Sequence, residues 1–326
     1  MSRDTRPRRL RRWRFGGLTV GAGLVLALAC SGASEGIGPL PSRPNPPTLP
    51  EPLPLNATEW VAAVDGTMPL VLVAPHGGDQ LPGNVPDRDC ATCVIVNDAN
   101  TAALMDAISD AFHARIGRRP FTVANRLHRR KFDGNRDLAE ATDGYAPLDS
   151  MWRYWHANID SAKARATRVH PRALLLDLHG HAHSIARIEV GYLISASQLR
   201  ETDEQLSLRL GSSSIARLDS VGRAGARGAP MLRGPLALGS RLAALGYPSV
   251  PSNADPAPLV GHAYFNGGYN TQRHGSLNGG AVDAIQLEHH FAGVRDTPES
   301  RAAYAEALVT ALLAYFVDHY GWSPPV

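Results

Sequence analysis

Leu70-Val71-Leu72-Val73-Ala74-Pro75-His76-Gly77-Gly78-Asp79 is a short apolar run that stops at a histidine, two glycines and an acid. It reads as a strand followed by a tight turn, which the glycines permit. In such a turn His76 and Asp79 are close enough for both side chains to reach one ion. A second apolar run, Leu174-Leu175-Leu176-Asp177-Leu178-His179, also closes on a histidine. A third, Ala284-Ile285-Gln286-Leu287-Glu288, closes on a carboxylate. Two imidazoles and a carboxylate are the protein ligands of a catalytic zinc, with the fourth position left to water. A further glutamate serves such a water as its base. The three strand ends therefore predict a metal-dependent hydrolase, with His76, Asp79 and His179 on the ion.

Alternation along the second strand puts Leu175, Asp177 and His179 on one face. Asp177 is thus placed either to orient an imidazole or to reach the ion itself. His181 and His183, in Gly180-His181-Ala182-His183, compete with His179 for the ligand role. His179 lies nearest the strand end.

Around these runs, strand-like and helix-like segments alternate. Asn97 to Ile116 has Leu104, Ile108 and Phe112 at helical spacing, Asn97 or Asn100 to cap its start and Gly117 to end it. Phe121 to Ala124 reads as a strand, and Leu236 to Leu245 as a short helix stopped by Gly246. The last helix is expected from a Thr297 cap and Pro298 to about His319, with Tyr304, Leu308, Leu312 and Tyr315 facing the core. The pattern predicts an α/β fold: a single domain with a mostly parallel or mixed central sheet flanked by helices. In such sheets, sites gather beyond the carboxyl ends of the strands. Gly211-Ser212-Ser213-Ser214 lacks a strand–turn–helix setting and reads as a flexible loop, which argues against a serine hydrolase.

The chain has 326 residues and a formal charge of +3. Much of the positive excess lies between Arg3 and Arg14, and no basic patch interleaved with aromatics follows, so no nucleic-acid partner is expected. That basic stretch precedes a small apolar run, Phe15 to Ala29, too short for a comfortable membrane span. Residues 1–29 read as a signal peptide. Leu26-Ala27-Leu28-Ala29-Cys30 resembles a bacterial lipoprotein box, with Cys30 as a lipidated mature N-terminus. Prolines crowd residues 30–56, most densely from Pro39 to Pro54, as in an extended, semi-rigid linker. Residues 57–326 are the expected hydrolase domain. The expected location is the cell envelope, lipid-anchored to a bacterial membrane on its periplasmic or surface side. Cys90 and Cys93 then suggest a small disulfide loop.

Ala74-Pro75-His76-Gly77-Gly78, Asp133-Gly134-Asn135-Arg136-Asp137, Asp177-Leu178-His179-Gly180 and Gln286-Leu287-Glu288 occur in the order and approximate spacing of the N-formylglutamate amidohydrolase family. Tyr264-Phe265-Asn266-Gly267-Gly268-Tyr269-Asn270-Thr271 is similar to a further family segment. The resemblance spans roughly Leu70 to His290. It implies a zinc-carboxypeptidase-like fold related to the succinylglutamate desuccinylase/aspartoacylase group. It also implies one zinc on His76, Asp79 and His179, and Glu288 as general base. Asp79 stands where the carboxypeptidase relatives have glutamate. Asn135 and Arg136 match the pair that clamps a substrate carboxylate.

The residues themselves add to this. Asn135 and Asp137 flank Arg136 with hydrogen-bonding groups, and a planar guanidinium can hold a carboxylate by two bonds at once. Arg129, from the basic stretch Arg126 to Lys131, is the expected oxyanion stabiliser. Tyr269 follows two glycines on an expected mobile loop, where it either closes over substrate or serves as a packing residue; His156, in an aromatic helical stretch, is expected to be structural. The expected activity is hydrolysis of an amide bond in an N-acyl amino acid or small peptide bearing a free carboxylate. The alternative is an exported, non-catalytic protein holding an anionic ligand in the same cleft.

Overall fold

Seven strands form one mixed sheet in the order β1-β3-β2-β4-β7-β5-β6. They are β1 Val61–Val64, β2 Leu70–Ala74, β3 Phe121–Asn125, β4 Ala173–Gly180, β5 Ile188–Gly191, β6 Ser249–Val250 and β7 Val282–His289. The centre is parallel: β3, β2, β4 and β7 run the same way, while β1 and β5 pair antiparallel with β3 and β7. All are drawn from a computed structural model that describes residues 57–221 and 227–324. These belong to one compact unit, Asn45–Val326. The signal-like segment, Cys30 and the proline-rich stretch lie outside the described residues. Among those described, no helix is long and apolar enough to cross a membrane.

The apolar runs become central strands because both faces of the sheet are covered. Leu70, Leu72, Leu174, Leu176 and Leu178 point to one face, against helix Thr101–Ile116 and helix Pro298–Tyr315. Val71, Val73, Val123 and Leu175 point to the other, against Trp155, Ile159, Ala162 and Ala166 of helix Asp149–Val169. Each such aliphatic side chain, fully buried, contributes about 1.5–3 kcal/mol. Asp177 and His179 share the Leu175 face, as alternation requires.

Three boundaries differ from expectation. The first long helix starts at Thr101, because Asn97 and Asp98 are drawn elsewhere. The Asn97 side chain accepts the Arg129 N–H at 2.7 Å, and the Asp98 N–H donates to the His76 carbonyl at 3.1 Å. Asn100 stands at the N-cap position in the left-handed region, with no side-chain capping bond. The last helix starts at Pro298 with Thr297 accepting the Ser300 N–H, but it gives way at Phe316 to a wider turn through Tyr320. The short helix spans Leu238–Ala244. Gly211 to Ser214 is no flexible loop either: Ser213 and Ser214 are buried, and the Ser214 carbonyl accepts N–H groups from Ser276 and Ala284.

Candidate metal centre

His76 leaves the end of β2 beside a strap, Asp133-Gly134-Asn135, that lies against Trp155 of helix Asp149–Val169. The strap is fixed by Trp155, whose Nε1 donates to the Gly134 carbonyl at 2.9 Å. A Cβ on Gly134 would lie 2.8 Å from the Trp155 ring, so only glycine fits there. Asp133 is thereby held over the strand ends. His76 Nε2 donates to its Oδ1 at 2.6 Å, and Arg129 Nε donates to its Oδ2 at 2.9 Å. On the neighbouring strand, His179 Nε2 lies 3.0 Å from Asp177 Oδ2. Both imidazoles therefore have their outer nitrogen against a fully buried carboxylate.

That arrangement decides the chemistry of the inner nitrogens. His76 Nε2 donates to Asp133, which leaves its Nδ1 a lone pair, while His179 Nε2 lies between Asp177 and the Asn135 amide with its Nδ1 turned inward. The two Nδ1 atoms are 3.1 Å apart, and Asp98 Oδ2 lies 3.1 Å from one and 3.0 Å from the other. Three electron-rich atoms at this spacing repel one another unless a proton or cation lies among them. A tetrahedral ion with bonds of about 2.0–2.1 Å holds its ligand atoms roughly 3.3 Å apart, within a few tenths of an ångström of this triangle. His76, Asp98 and His179 could thus hold a metal ion.

The acid is Asp98, and Asp79 is not in the cluster. After the Gly77-Gly78 turn the chain is captured by the far end of β3. Gln80 N–H donates to the Arg126 carbonyl and His128 N–H to the Gln80 carbonyl, both at 2.9 Å. This bridge carries Asp79 to the surface, where it lines a separate groove with Asn97 and Arg126. Asp98 is instead docked by its own backbone on the His76 carbonyl, and Gly180 N–H donates to its Oδ2 at 3.2 Å. Burial opposes charge on Asp98, but His76 and His179 prevail and hold its carboxyl far below the usual range. Burial likewise opposes a charged His179, and Asp177 and Asp98 overcome it, raising the imidazole well above its ordinary value.

His181 and His183 do not join the triangle. His181 Nε2 donates to the Arg187 carbonyl at 2.8 Å while its Nδ1 accepts the His183 N–H. His183 Nδ1 lies 2.9 Å from Glu189 Oε1. Cys90 and Cys93 are joined in a disulfide, with Cα atoms 5.2 Å apart.

A cavity of about 180 Å³ opens over the triangle, lined among others by Arg129, Asn135, Arg136, Phe265, Gln286 and Glu288. Glu288 is the register partner of His179 on β7 and shares its face. Its Oε1 accepts a hydrogen bond from Gln286 Nε2 at 2.8 Å. Burial, reinforced by Asp98, Glu189 and Asp177 and opposed by His179, pushes its carboxyl up to about 8. Arg129 also lines the cavity, but its guanidinium is engaged by Asp133 and, at 3.4 Å, by Asp98 Oδ1. It ties the Asp98 and Asp133 carboxylates together.

No family model and no curated protein sequence matches this chain. Solved structures do. One is an N-formylglutamate amidohydrolase from Ralstonia eutropha, 15% identical, covering 80% of this chain and 97% of that one, TM-score 0.48. A gene product of Agrobacterium tumefaciens, also 15% identical, covers 78% and 94% with a TM-score of 0.44. An N-acetylmuramyl-L-alanine amidase from Mycobacterium smegmatis is 15% identical and covers 76% and 95%, TM-score 0.34.

Asn135 and Arg136 border the same space, and Tyr269 an adjoining one. Asn135 Nδ2 lies 3.2 Å from His179 Nε2, and its Oδ1 accepts the Asn270 N–H at 2.7 Å, so it links the strap to the 264–271 segment. Arg136 Nε donates to Glu140 at 2.8 Å and Nη1 to the Asn135 carbonyl at 2.9 Å. Arg136 lines both the metal cavity and an adjoining one of about 320 Å³ with Asp137, Glu140, Tyr269 and Gln272. Tyr269 is not on a mobile loop. It opens the short helix Tyr269–His274, and its ring packs against His156 and Trp152 at centroid distances of 5.6 and 6.2 Å. His156 is buried, with Nδ1 2.9 Å from His274 Nε2.

Proposed function

We propose that the chain is a zinc-dependent amidohydrolase that cleaves an N-acyl amino acid or a small peptide carrying a free carboxylate. The observation that carries this reading is the convergence of His76 Nδ1, His179 Nδ1 and Asp98 Oδ2 under a cavity whose wall holds Glu288. Two imidazoles and one carboxylate suit zinc, with a position left over for water. When bound, zinc would lower the pKa of that water to about 7 and polarise the amide carbonyl.

The chain's own residues do the rest. Asp133 holds the His76 imidazole by a hydrogen bond and Asp177 lies beside that of His179, with both Nδ1 atoms facing inward. The acids lining the cavity are Asp98 and Glu288. Asp98 is committed to the triangle, which leaves Glu288 to take the water proton and return it to the departing amine. Arg136, whose Nε and Nη1 are engaged while Nη2 makes no hydrogen bond among the described residues, would receive the substrate carboxylate. Glu288 also favours the enzyme over a non-catalytic binder, which would need no base beside the triangle. Zinc content and hydrolysis of N-acyl glutamates and short peptides test the reading. A protein that takes up no zinc and hydrolyses none of them would refute it.

Replacing Arg136 tests the anchor. Lysine keeps the charge and loses the planar fork, so Arg136→Lys should raise KM about 10- to 100-fold, the range lost with a charged hydrogen bond. An unchanged KM would remove Arg136 from substrate binding.

We also propose, from residues 1–56, that the enzyme works outside the cytoplasm, held to a bacterial membrane by a lipid on Cys30. Cys30→Ser should move the protein from the membrane fraction to the soluble fraction. Retention in the membrane would contradict the anchor.

A further inference from the structure

Asp98 reaches the triangle at the end of a long connection. From Leu81 to Asp98 the chain forms no strand and no helix. Connections of that length without regular structure are uncommon inside a compact domain. The first half is docked on the stretch that precedes the strap. There the Arg88 N–H donates to the Arg130 carbonyl at 2.7 Å, and Lys131 Nζ donates to the Val85 carbonyl at 2.6 Å. The second half is nearly bare. Ala91, Thr92, Val94, Ile95 and Val96 are exposed. The disulfide closes the turn, within which the Cys93 N–H donates to the Cys90 carbonyl at 3.0 Å. Every other hydrogen bond to residues 90–96, among the described residues, comes from Arg88.

Arg88 is buried, and its guanidinium joins this half to the metal centre. Nη1 donates to Cys93 Sγ at 3.5 Å and to the Glu140 carbonyl at 3.0 Å. Nη2 donates to the Val94 carbonyl at 2.6 Å, and Nε to the Arg129 carbonyl at 3.2 Å. Nη2 also lies 3.7 Å from Asp133 Oδ2. Asp133 is the carboxylate that accepts the His76 Nε2 bond, and Arg129 ties it to Asp98. One buried cation thus touches the disulfide, the connection that ends in Asp98, and the acid that holds His76. A buried guanidinium is costly unless it is paired and hydrogen-bonded. Freeing the Cys93–Val94 end takes away two of its acceptors and lets the charge move relative to Asp133.

We infer that Arg88 is a positioning residue for the metal centre, and that the Cys90–Cys93 disulfide acts on the metal through it, so that opening the disulfide weakens metal binding. This rests on the metal-centre reading above. A dithiol reductant converts the disulfide to two thiols and is itself oxidised to a disulfide. The turn then loses its covalent closure, and residues 90–96 keep few bonds of their own. The centre therefore holds its metal more tightly in an oxidising compartment than in a reducing one.

Zinc affinity, measured by competition with a chelator on protein whose fold is checked by circular dichroism, tests this. Cys90→Ser with Cys93→Ser opens the turn and leaves no thiolate to capture zinc. That pair should bind zinc about 10-fold more weakly than wild type, the low end of the loss for an outer partner of a ligand. Arg88→Met should lose about 10- to 100-fold. Arg88→Lys keeps the charge without the fork and should recover part of that loss. Arg88→Met added to the serine pair should bind no worse than Arg88→Met alone, because both act on one path. The serine pair sits on a partly exposed turn, so it and Arg88→Lys decide the matter if Arg88→Met fails to fold. Wild-type affinity in the serine pair or in Arg88→Lys, or losses that simply add, would overturn the inference and leave the metal centre standing. A wild-type protein that binds no zinc would overturn both.

Discussion

Glu288→Gln should keep its zinc and lose about 10²- to 10⁴-fold in kcat/KM, the usual cost of removing an essential base. The substitution conserves volume at a buried position, and the new amide oxygen can still accept the Gln286 bond made by Oε1. None of the three proposed ligands lies on β7, so the triangle is undisturbed. What disappears is a group able to take a proton from water and hand it to the leaving amine. Metal content by elemental analysis and steady-state kinetics on one preparation check both halves. Wild-type turnover would remove Glu288 from the mechanism. Lost zinc would mean that it supports the metal rather than the reaction.

The second large effect separates two acids. Asp98→Ala should weaken zinc by more than the roughly 10- to 100-fold expected for an outer hydrogen-bonding partner of a ligand. Asp79→Ala should leave affinity as it is. Removing Asp98 takes away one of three donors, and it strips Arg129 Nη1 and the Gly180 N–H of an acceptor. A buried group left without its charged partner costs about 3–5 kcal/mol, so Asp98→Asn, which keeps the shape, is the companion variant. Competition titration against a zinc chelator gives the affinities. Equal loss in the Asp79 and Asp98 variants, or loss with Asp79 alone, would restore the near acid as ligand.

The four central strands and two of the three residues of the triangle were legible because their signals are local. Apolar runs ending in His76, His179 and Glu288 need no knowledge of distant contacts, and Asp177 follows from alternation along β4. Asp98 was illegible because its place is set by one backbone bond to the His76 carbonyl across a long loop. In sequence it is an acid just before a helix, where a cap is the ordinary reading. Asp79 misled through proximity: two glycines make a shared site feasible, but Gln80 pairs with the chain beyond β3 and turns Asp79 to solvent. Asp133 was visible within Asp133-Gly134-Asn135, yet its role depends on Trp155, which holds the strap close enough for His76 to reach it.

Zinc K-edge X-ray absorption on the purified protein, loaded with one equivalent of metal, tests the centre most directly. Two imidazole nitrogens and otherwise oxygen, all at about 2.0–2.1 Å, is the shell that His76, Asp98 and His179 predict. A sulfur contribution near 2.3 Å, placing the metal at Cys90 and Cys93, or a shell with no imidazole scattering, would contradict it.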